Sequence, residues 1–282
     1  MKKTLFLLTI ALAFAFLGCQ KEGVYNPSKK LKRIYVMYNT KKALSQEWIW
    51  NKNQLNKIEY FYLNTGNLYY SSTFSYDGDK ISKIQDSDGY YTTFKYKGNQ
   101  YDKVEYYNAK SELRIALYFT YTKNKITSIE GQFYSTGKST IDNYNAGFLT
   151  TIIPELRLSE EDIQQFRGGG GVSIRQWNFE YIGNNVSRLE IKEDAKITTH
   201  NYEKYDKNLN PFFQTIEVIN TSLNLILSKN NVLEQTTRTQ DGNTAIHEFT
   251  YVYDGQAPTE VQRRTNSAGN VTIYNTYYEY VK

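Results

Sequence analysis

The chain has 282 residues, a net charge of +5, two histidines and one cysteine. Its basic and acidic residues are interspersed without long blocks, which points to an evenly solvated surface rather than the basic stripe of a nucleic-acid reader. One cysteine excludes an intrachain disulfide framework, and 27 tyrosines favour pleated sheet with one dry and one wet side.

In chain order, Met1-Lys2-Lys3 is basic, Thr4 to Leu17 is almost wholly apolar, and Gly18-Cys19 follows. That is the pattern of a secretory signal, and the run is shorter than the roughly 20 residues a spanning helix needs. Cys19 stands where a bacterial lipoprotein signal places its acylated cysteine. Only Gly18 and Cys19 of Phe16-Leu17-Gly18-Cys19 fit that pattern well, so a plain signal peptide stays open. The expectation is a lipoprotein signal over residues 1–19, lipidation at Cys19, and membrane attachment through that lipid. Residues 20–30 (QKEGVYNPSKK) are polar and aperiodic and read as a tether.

From residue 31 onward one short phrase recurs. An aromatic or apolar pair flanks one residue, four mostly polar residues follow, then an apolar residue and usually another three positions later. The copies are Trp48 to Ile58, Phe74 to Ile84, Phe94 to Val104, Phe119 to Ile129, Phe179 to Leu189, Leu225 to Gln235 and Tyr251 to Val261. The sixth is degenerate, ending on a polar residue. Recurrence at this spacing signals a repeat architecture. In the second copy a two-residue loop at Gly78-Asp79 would pair Asp77 with Lys80 and set Tyr76 opposite Ile81. The same arithmetic sets Tyr96 opposite Tyr101, Tyr121 opposite Ile126, and Tyr181 opposite Val186. Glycine first in the loop suits a type II′ hairpin, and asparagine tolerates positive φ. The three-residue step from Ile81 to Ile84 predicts a bulge that returns both to one face, with two-sided burial the alternative.

Looser turns separate the copies, so strands run back and forth. The predicted fold is all-β: a long antiparallel meander of about eighteen strands, curled or barrel-like, in one domain over residues 31–282. An insertion at about 145–173 interrupts it. There Pro154 to Phe166 reads as a short helix near 155–167, with Ser159 as cap and Glu160, Glu161 and Asp162 in its first turn. Gly168 to Gly171 lacks the Gly-Lys-Ser/Thr of a phosphate loop and reads as a hinge.

The phrase F-x-Y-D-G-x-K-I-x-K-I at Phe74 to Ile84, with Tyr205 to Phe212 (YDKNLNPF), resembles the YD-type repeats of Rhs-like proteins. More closely it is similar to a Bacteroidetes lipoprotein family of unknown function with a porin-like β fold. The resemblance spans roughly residues 31–282 and implies an outer-membrane lipoprotein of the cell envelope, periplasmic or surface-facing. It implies no catalytic residues. The degenerate sixth copy and the central insertion depart from it, which leaves full closure of a barrel open.

Little chemistry is written in the side chains. His200 and His247 read as surface histidines, and no cofactor or metal set is expected. Glu160, Glu161, Glu193 and Asp194 read as solvated charges rather than a glycosidase pair, and Asp77-Gly78-Asp79 as a hairpin tip rather than a calcium loop. The remaining signal is aromatic surplus outside the phrase: Tyr60, Tyr62, Tyr90, Tyr106, Tyr107, Tyr118 and Tyr134. These could stack on sugars, grip an envelope protein, or pack on neighbouring strands. The functional expectation is a non-enzymatic, lipid-anchored binding or scaffolding surface that does not bind nucleic acid. The alternatives are a glycan-binding or glycan-processing accessory of surface polysaccharide handling, and an integral porin-like barrel. A polar face opposite the apolar one would also suit a porin with a polar lumen, but short strands and a strongly negative mean hydropathy favour a water-soluble sheet tethered by lipid.

Overall fold

The computed structural model describes residues 24–134, 172–193, 196–213 and 227–282. Cys19, the segment read as a helix near 155–167, Gly168 to Gly171 and Asp194 lie outside these residues. Sixteen strands are described: β1 (Leu31–Tyr38), β2 (Lys41–Asn51), β3 (Gln54–Phe61), β4 (Leu68–Asp77), β5 (Lys80–Asp86), β6 (Tyr91–Lys97), β7 (Gln100–Tyr107) and β8 (Leu113–Thr122). They continue as β9 (Lys125–Tyr134), β10 (Val172–Ile182), β11 (Asn185–Glu193), β12 (Lys196–Leu209), β13 (Asn230–Thr239), β14 (Thr244–Asp254), β15 (Ala257–Ser267) and β16 (Asn270–Tyr280). Each pairs antiparallel with its sequence neighbours, and β1 pairs with β16, so the meander closes into a barrel.

The repeated phrase is the hairpin at one end of that barrel. Tyr76 pairs with Ile81, Tyr96 with Tyr101, Tyr121 with Ile126, and Tyr181 with Val186, as the loop arithmetic requires. The register shifts beside each of these pairs, and Phe74 then meets Ile84, Phe94 meets Val104, and Phe179 meets Leu189. The bulge thus returns the paired apolar residues to one face. Gly78, Gly98, Gly183 and Gly255 take φ of +63°, +62°, +59° and +62° at the first loop position, the geometry of a type II′ turn. Lys123 and Asn124 both have positive φ (+51° and +61°), a type I′ turn without glycine.

The bulge explains why the phrase wants tyrosine. It disturbs the ladder at the residue opposite the ring, and the next hairpin's hydroxyl donates to that residue's carbonyl. Tyr76 donates to the Leu55 carbonyl at 2.7 Å, Tyr96 to Ile81 at 2.6 Å, Tyr181 to Ile126 at 2.8 Å and Tyr205 to Val186 at 2.6 Å. The same latch recurs on either side of the closing seam, where Tyr280 on β16 donates to Pro258 on β15 at 2.7 Å and the Trp50 indole on β2 to Leu31 on β1 at 2.6 Å. A second latch uses the polar residue just after the turn. Gln54 donates to the Gly78 carbonyl at 3.0 Å and Lys80 to the Gly98 carbonyl. At the buried residues Leu55, Ile81, Ile126 and Val186, each carbonyl so satisfied avoids a penalty of about 1–3 kcal/mol.

Repeat counting overshoots the described strand number at one place. The Tyr205 unit is a single 14-residue strand, β12, and the described residues of the degenerate sixth copy, from Leu227 on, form no tight hairpin. Leu227 and Ser228 lie outside the sheet, and pairing resumes only at Asn230. The physical reason is local: Asn210 bonds backward, donating its Nδ2 to the Ser228 carbonyl at 2.9 Å and receiving the Phe212 N–H at 3.0 Å. These side-chain bonds replace the ladder there. The half-unit at Tyr278 and Tyr280 is completed by β1, with Tyr278 opposite Ile34 and Tyr280 opposite Leu31.

Only one face of a closed sheet can hide inside, and the apolar face does so. Trp48, Ile58, Phe74, Ile84, Val104, Ile129, Trp177 and Leu189 are all buried and alternate with polar neighbours. Sixteen strands enclose a wide lumen unless something enters it. Two segments do. Tyr25, within the stretch read as tether, is 5% exposed, lies against Trp48 and Trp50 at 6.2 and 5.6 Å, and donates to the Pro211 carbonyl at 2.7 Å. Phe212, just beyond β12, touches Trp48 on β2 and Tyr278 on β16 at 6.4 and 5.8 Å. Further round, Gly131 on β9 makes room for a ring. A Cβ there would stand 2.7 Å from Cζ3 of Trp177, a side chain with no exposed surface.

The outer face carries charge pairs, some across strands (Arg33–Glu47, Arg188–Glu180, Arg264–Glu248) and some along one strand (Lys57–Glu59, Arg188–Glu190). Arg33 meets Glu47 at 2.7 Å, Lys57 meets Glu59 at 2.7 Å, Arg188 meets Glu180 and Glu190 at 2.9 and 2.8 Å, and Arg264 meets Glu248 at 2.6 Å. Such exposed pairs contribute only about 0–1 kcal/mol each, and their importance here is where they point.

Candidate functional site

The aromatic residues singled out by sequence fall into three settings. Tyr60 and Tyr106 are each 3% exposed and face inward, and Tyr90 stacks on Tyr106 at 5.6 Å. Tyr107, Tyr118 and Tyr134 lie on the outer wall. There Tyr107 stacks on Tyr91 at 4.9 Å and 14°, Lys83 covers Tyr91 at 4.3 Å, and Lys103 covers Tyr118 at 5.1 Å. Tyr134 donates to Gln132 at 2.8 Å. Burial alone would raise the Glu105 carboxyl between them, yet hydrogen bonds from Lys103 and Lys95 hold it below its usual range. The Tyr91, Tyr107 and Tyr118 rings on this wall are thus engaged by a cation or by a neighbouring ring. Tyr62 differs: it is 53% exposed at the β3–β4 turn and pairs with the exposed Tyr69 at 4.6 Å.

The barrel has a more concave feature that sequence reading passed over. On β14 every second residue (His247, Phe249, Tyr251, Tyr253) points inward, and the register lays matching ranks across the next strands. His247 pairs with Thr265, Phe249 with Arg263, and Tyr251 with Val261. On β16, Tyr274 continues the Phe249–Arg263 rank and Thr276 the next. Of these, Phe249, Tyr251, Val261, Arg263, Tyr274 and Thr276, together with Phe212, Asn231 and Tyr278, line a cavity of about 290 Å³. Its floor is aromatic. Burial pushes the Tyr251 and Tyr278 hydroxyls above the usual phenol range, so both remain protonated donors.

Polar groups border this floor. His200 Nδ1 lies 3.0 Å from the Thr237 hydroxyl, which is 3.5 Å from His247 Nε2, and His247 Nδ1 lies 2.9 Å from Thr265. Contrary to the surface reading, both histidines face the interior. Burial lowers His200 to about 4, and burial followed by the nearby Arg263 charge lowers His247, so both rings are neutral at pH 7. Arg263 lies over the Tyr274 ring at 4.9 Å. Asp206 approaches from the β12 side with its oxygens engaged. Oδ1 accepts from the Asn208 and Asn231 backbone at 3.0 and 3.1 Å, and Oδ2 from the Asn231 amide at 3.0 Å and the Tyr253 hydroxyl. Among the described residues no group of three or more His, Cys, Asp or Glu could hold a metal ion. The signal for this site was present in the alternation His247-Glu248-Phe249-Thr250-Tyr251, but which face of a strand is inner follows only from closure.

A larger cavity, about 630 Å³, lies at the other side of Phe212's segment, between residues 24–29 and the β14–β15 turn. Its lining is mostly apolar and includes Tyr25, Pro211, Pro258 and Tyr280.

No protein-family model and no curated protein matches this sequence. Solved structures do match in shape. A porin-like protein from Bacteroides uniformis ATCC 8492 superposes with a TM-score of 0.54 at 11% identity, covering 92% of this chain and 100% of that one. A porin-like protein from Bacteroides vulgatus ATCC 8482 gives a TM-score of 0.53 at 11% identity, covering 90% of this chain and 99% of that one. At that identity the likeness is one of fold, and the chain has the barrel architecture of these porin-like structures.

Proposed function

We propose that this protein is a water-bathed barrel of the cell envelope, held to a membrane by lipid on Cys19, and that it binds a ligand in its interior rather than conducting solutes across a bilayer. The observation that carries this reading is the polarity of the wall. A lipid-facing barrel alternates apolar-out and polar-in over about ten residues per strand, and an Arg or Lys on the lipid face at its midplane costs about 2–4 kcal/mol. Here the outward positions carry Arg33, Glu47, Lys57, Glu59, Arg188, Glu190, Glu248 and Arg264, and the aromatic side is enclosed. The Bacteroides origin of the porin-like structures of the same shape supports an envelope location. The test is fractionation of cells expressing wild type and Cys19→Ser. Wild type is expected in the membrane fraction, and the variant is expected in the soluble fraction with β-sheet circular dichroism intact. Retention of the folded variant in membranes after alkaline extraction would overturn the reading in favour of an inserted barrel.

A glycan-binding role has one observation in its favour, the exposed Tyr62–Tyr69 pair at the rim. Retardation in polysaccharide affinity gels, lost in Tyr62→Ala, is the expected result. Equal mobility with and without polysaccharide removes it.

A further inference from the structure

The cavity bounded by Phe249, Tyr251, Tyr278 and Phe212 has one charged side chain with no ionic partner. Arg263 sits between Phe249 and Tyr274 in register, on the inner face. Among the described residues no carboxylate lies within ion-pair distance of it, whereas its outward neighbour Arg264 is paired with Glu248 at 2.6 Å. The contrast is between adjacent residues of the same strand. The outer arginine is neutralised, and the inner one rests on a tyrosine face with its guanidinium edge available. The Asp206 carboxylate, which approaches from the β12 side, is already bonded to Asn208, Asn231 and Tyr253.

We infer that this chamber takes a small aromatic anion, its ring against Phe249 and Tyr251 and its anionic head on the Arg263 guanidinium. The inference rests on the interior-binding reading above and names the ligand class for that site. A volume of about 290 Å³ stands at the low end of small-molecule pockets, enough for one ring with a short charged group. An aromatic floor with one convergent cation is the composition such pockets use, since the ring supplies burial and the fork of donors supplies orientation. A positive local field is consistent with the depressed basicity of His247, to which Arg263 contributes after burial. A cationic ligand would meet that same field unfavourably. A long aliphatic chain would exceed the volume.

The experiment uses the purified protein and two probes of nearly equal shape, benzenesulfonate and benzenesulfonamide, titrated calorimetrically and by ligand-observed NMR at pH 7. The sulfonate is charged throughout, so its own titration does not intrude. Wild type is expected to bind the sulfonate about tenfold more tightly than the neutral sulfonamide, the scale of one charge-assisted contact. In Arg263→Gln the sulfonate should fall to the affinity of the sulfonamide, and the sulfonamide should be unchanged. Arg263→Lys should restore part of the preference. Arg263 is exposed to solvent, so the variants should keep the wild-type melting temperature, and that measurement accompanies the titration. Equal affinity of wild type for the two probes would overturn the anion assignment and leave the chamber as a binding site. Absence of saturable binding by either probe would overturn the chamber itself, whatever the fractionation of Cys19→Ser shows.

Discussion

Asp86 is a carboxyl group inside the wall, and replacing it with asparagine should make the protein more stable at neutral pH. The side chain is 3% exposed at the end of β5, and its Oδ1 accepts from the Ser72 hydroxyl at 2.8 Å. Burial raises its pKa from 3.8 to about 8, against smaller opposing hydrogen bonds from Ser72 and Tyr70. The folded state therefore holds a proton that the unfolded chain releases above pH 4, so stability falls as pH rises between about 4 and 8. At about 1.4 kcal/mol per pH unit, roughly 4 kcal/mol is lost by pH 7. An asparagine in its place would keep the Ser72 bond and carry no charge. The difference in unfolding free energy between Asp86→Asn and wild type, from urea denaturation followed by tryptophan fluorescence, should be about 1 kcal/mol at pH 4.5. It should grow by about 1 kcal/mol or more per unit up to pH 7.5. His200 acts in the opposite sense, destabilising the fold below pH 6.5 because the unfolded chain takes up its proton first, but it is common to both proteins and cancels. Parallel stability curves for the two proteins across this range would refute the argument.

Two further substitutions test the wall. Tyr96→Phe leaves the Ile81 carbonyl without its 2.6 Å donor and should cost about 1–3 kcal/mol in urea denaturation; an unchanged midpoint would show that the latch contributes nothing. Gly131→Ala puts a methyl 2.7 Å from the Trp177 ring and should destabilise by about 1–3 kcal/mol, with altered near-ultraviolet circular dichroism from the displaced indole.

The hairpins were legible because their rules are local. Gly78-Asp79 dictates its turn, and the turn dictates that Tyr76 meets Ile81. The bulge was legible too, because a three-residue apolar step cannot otherwise share a face with a period of two. What could not be read was anything set by closure. That Arg263 points into a cavity while Arg264 meets Glu248 depends on which face becomes the inside, and both faces of β15 are polar. Tyr25 illustrates the same limit: in a polar stretch it carries no periodic signal, and only the hole left by sixteen strands gives it a destination. Around the described part of the sixth copy, side-chain bonds of Asn210 and Asn231 stand where ladder bonds would, and such competition leaves no spacing to detect.

The pairing of β1 with β16 has a consequence for assembly. Tyr35 and Glu279 are hydrogen-bond partners 244 positions apart, so the first strand waits for nearly the whole chain before it gains its second neighbour. Until then every growing intermediate presents two open edges, each able to recruit a strand from another copy. A nascent ring of this kind is vulnerable in proportion to the time its last strand takes to arrive, and crowding with its own kind is the condition under which it should fail.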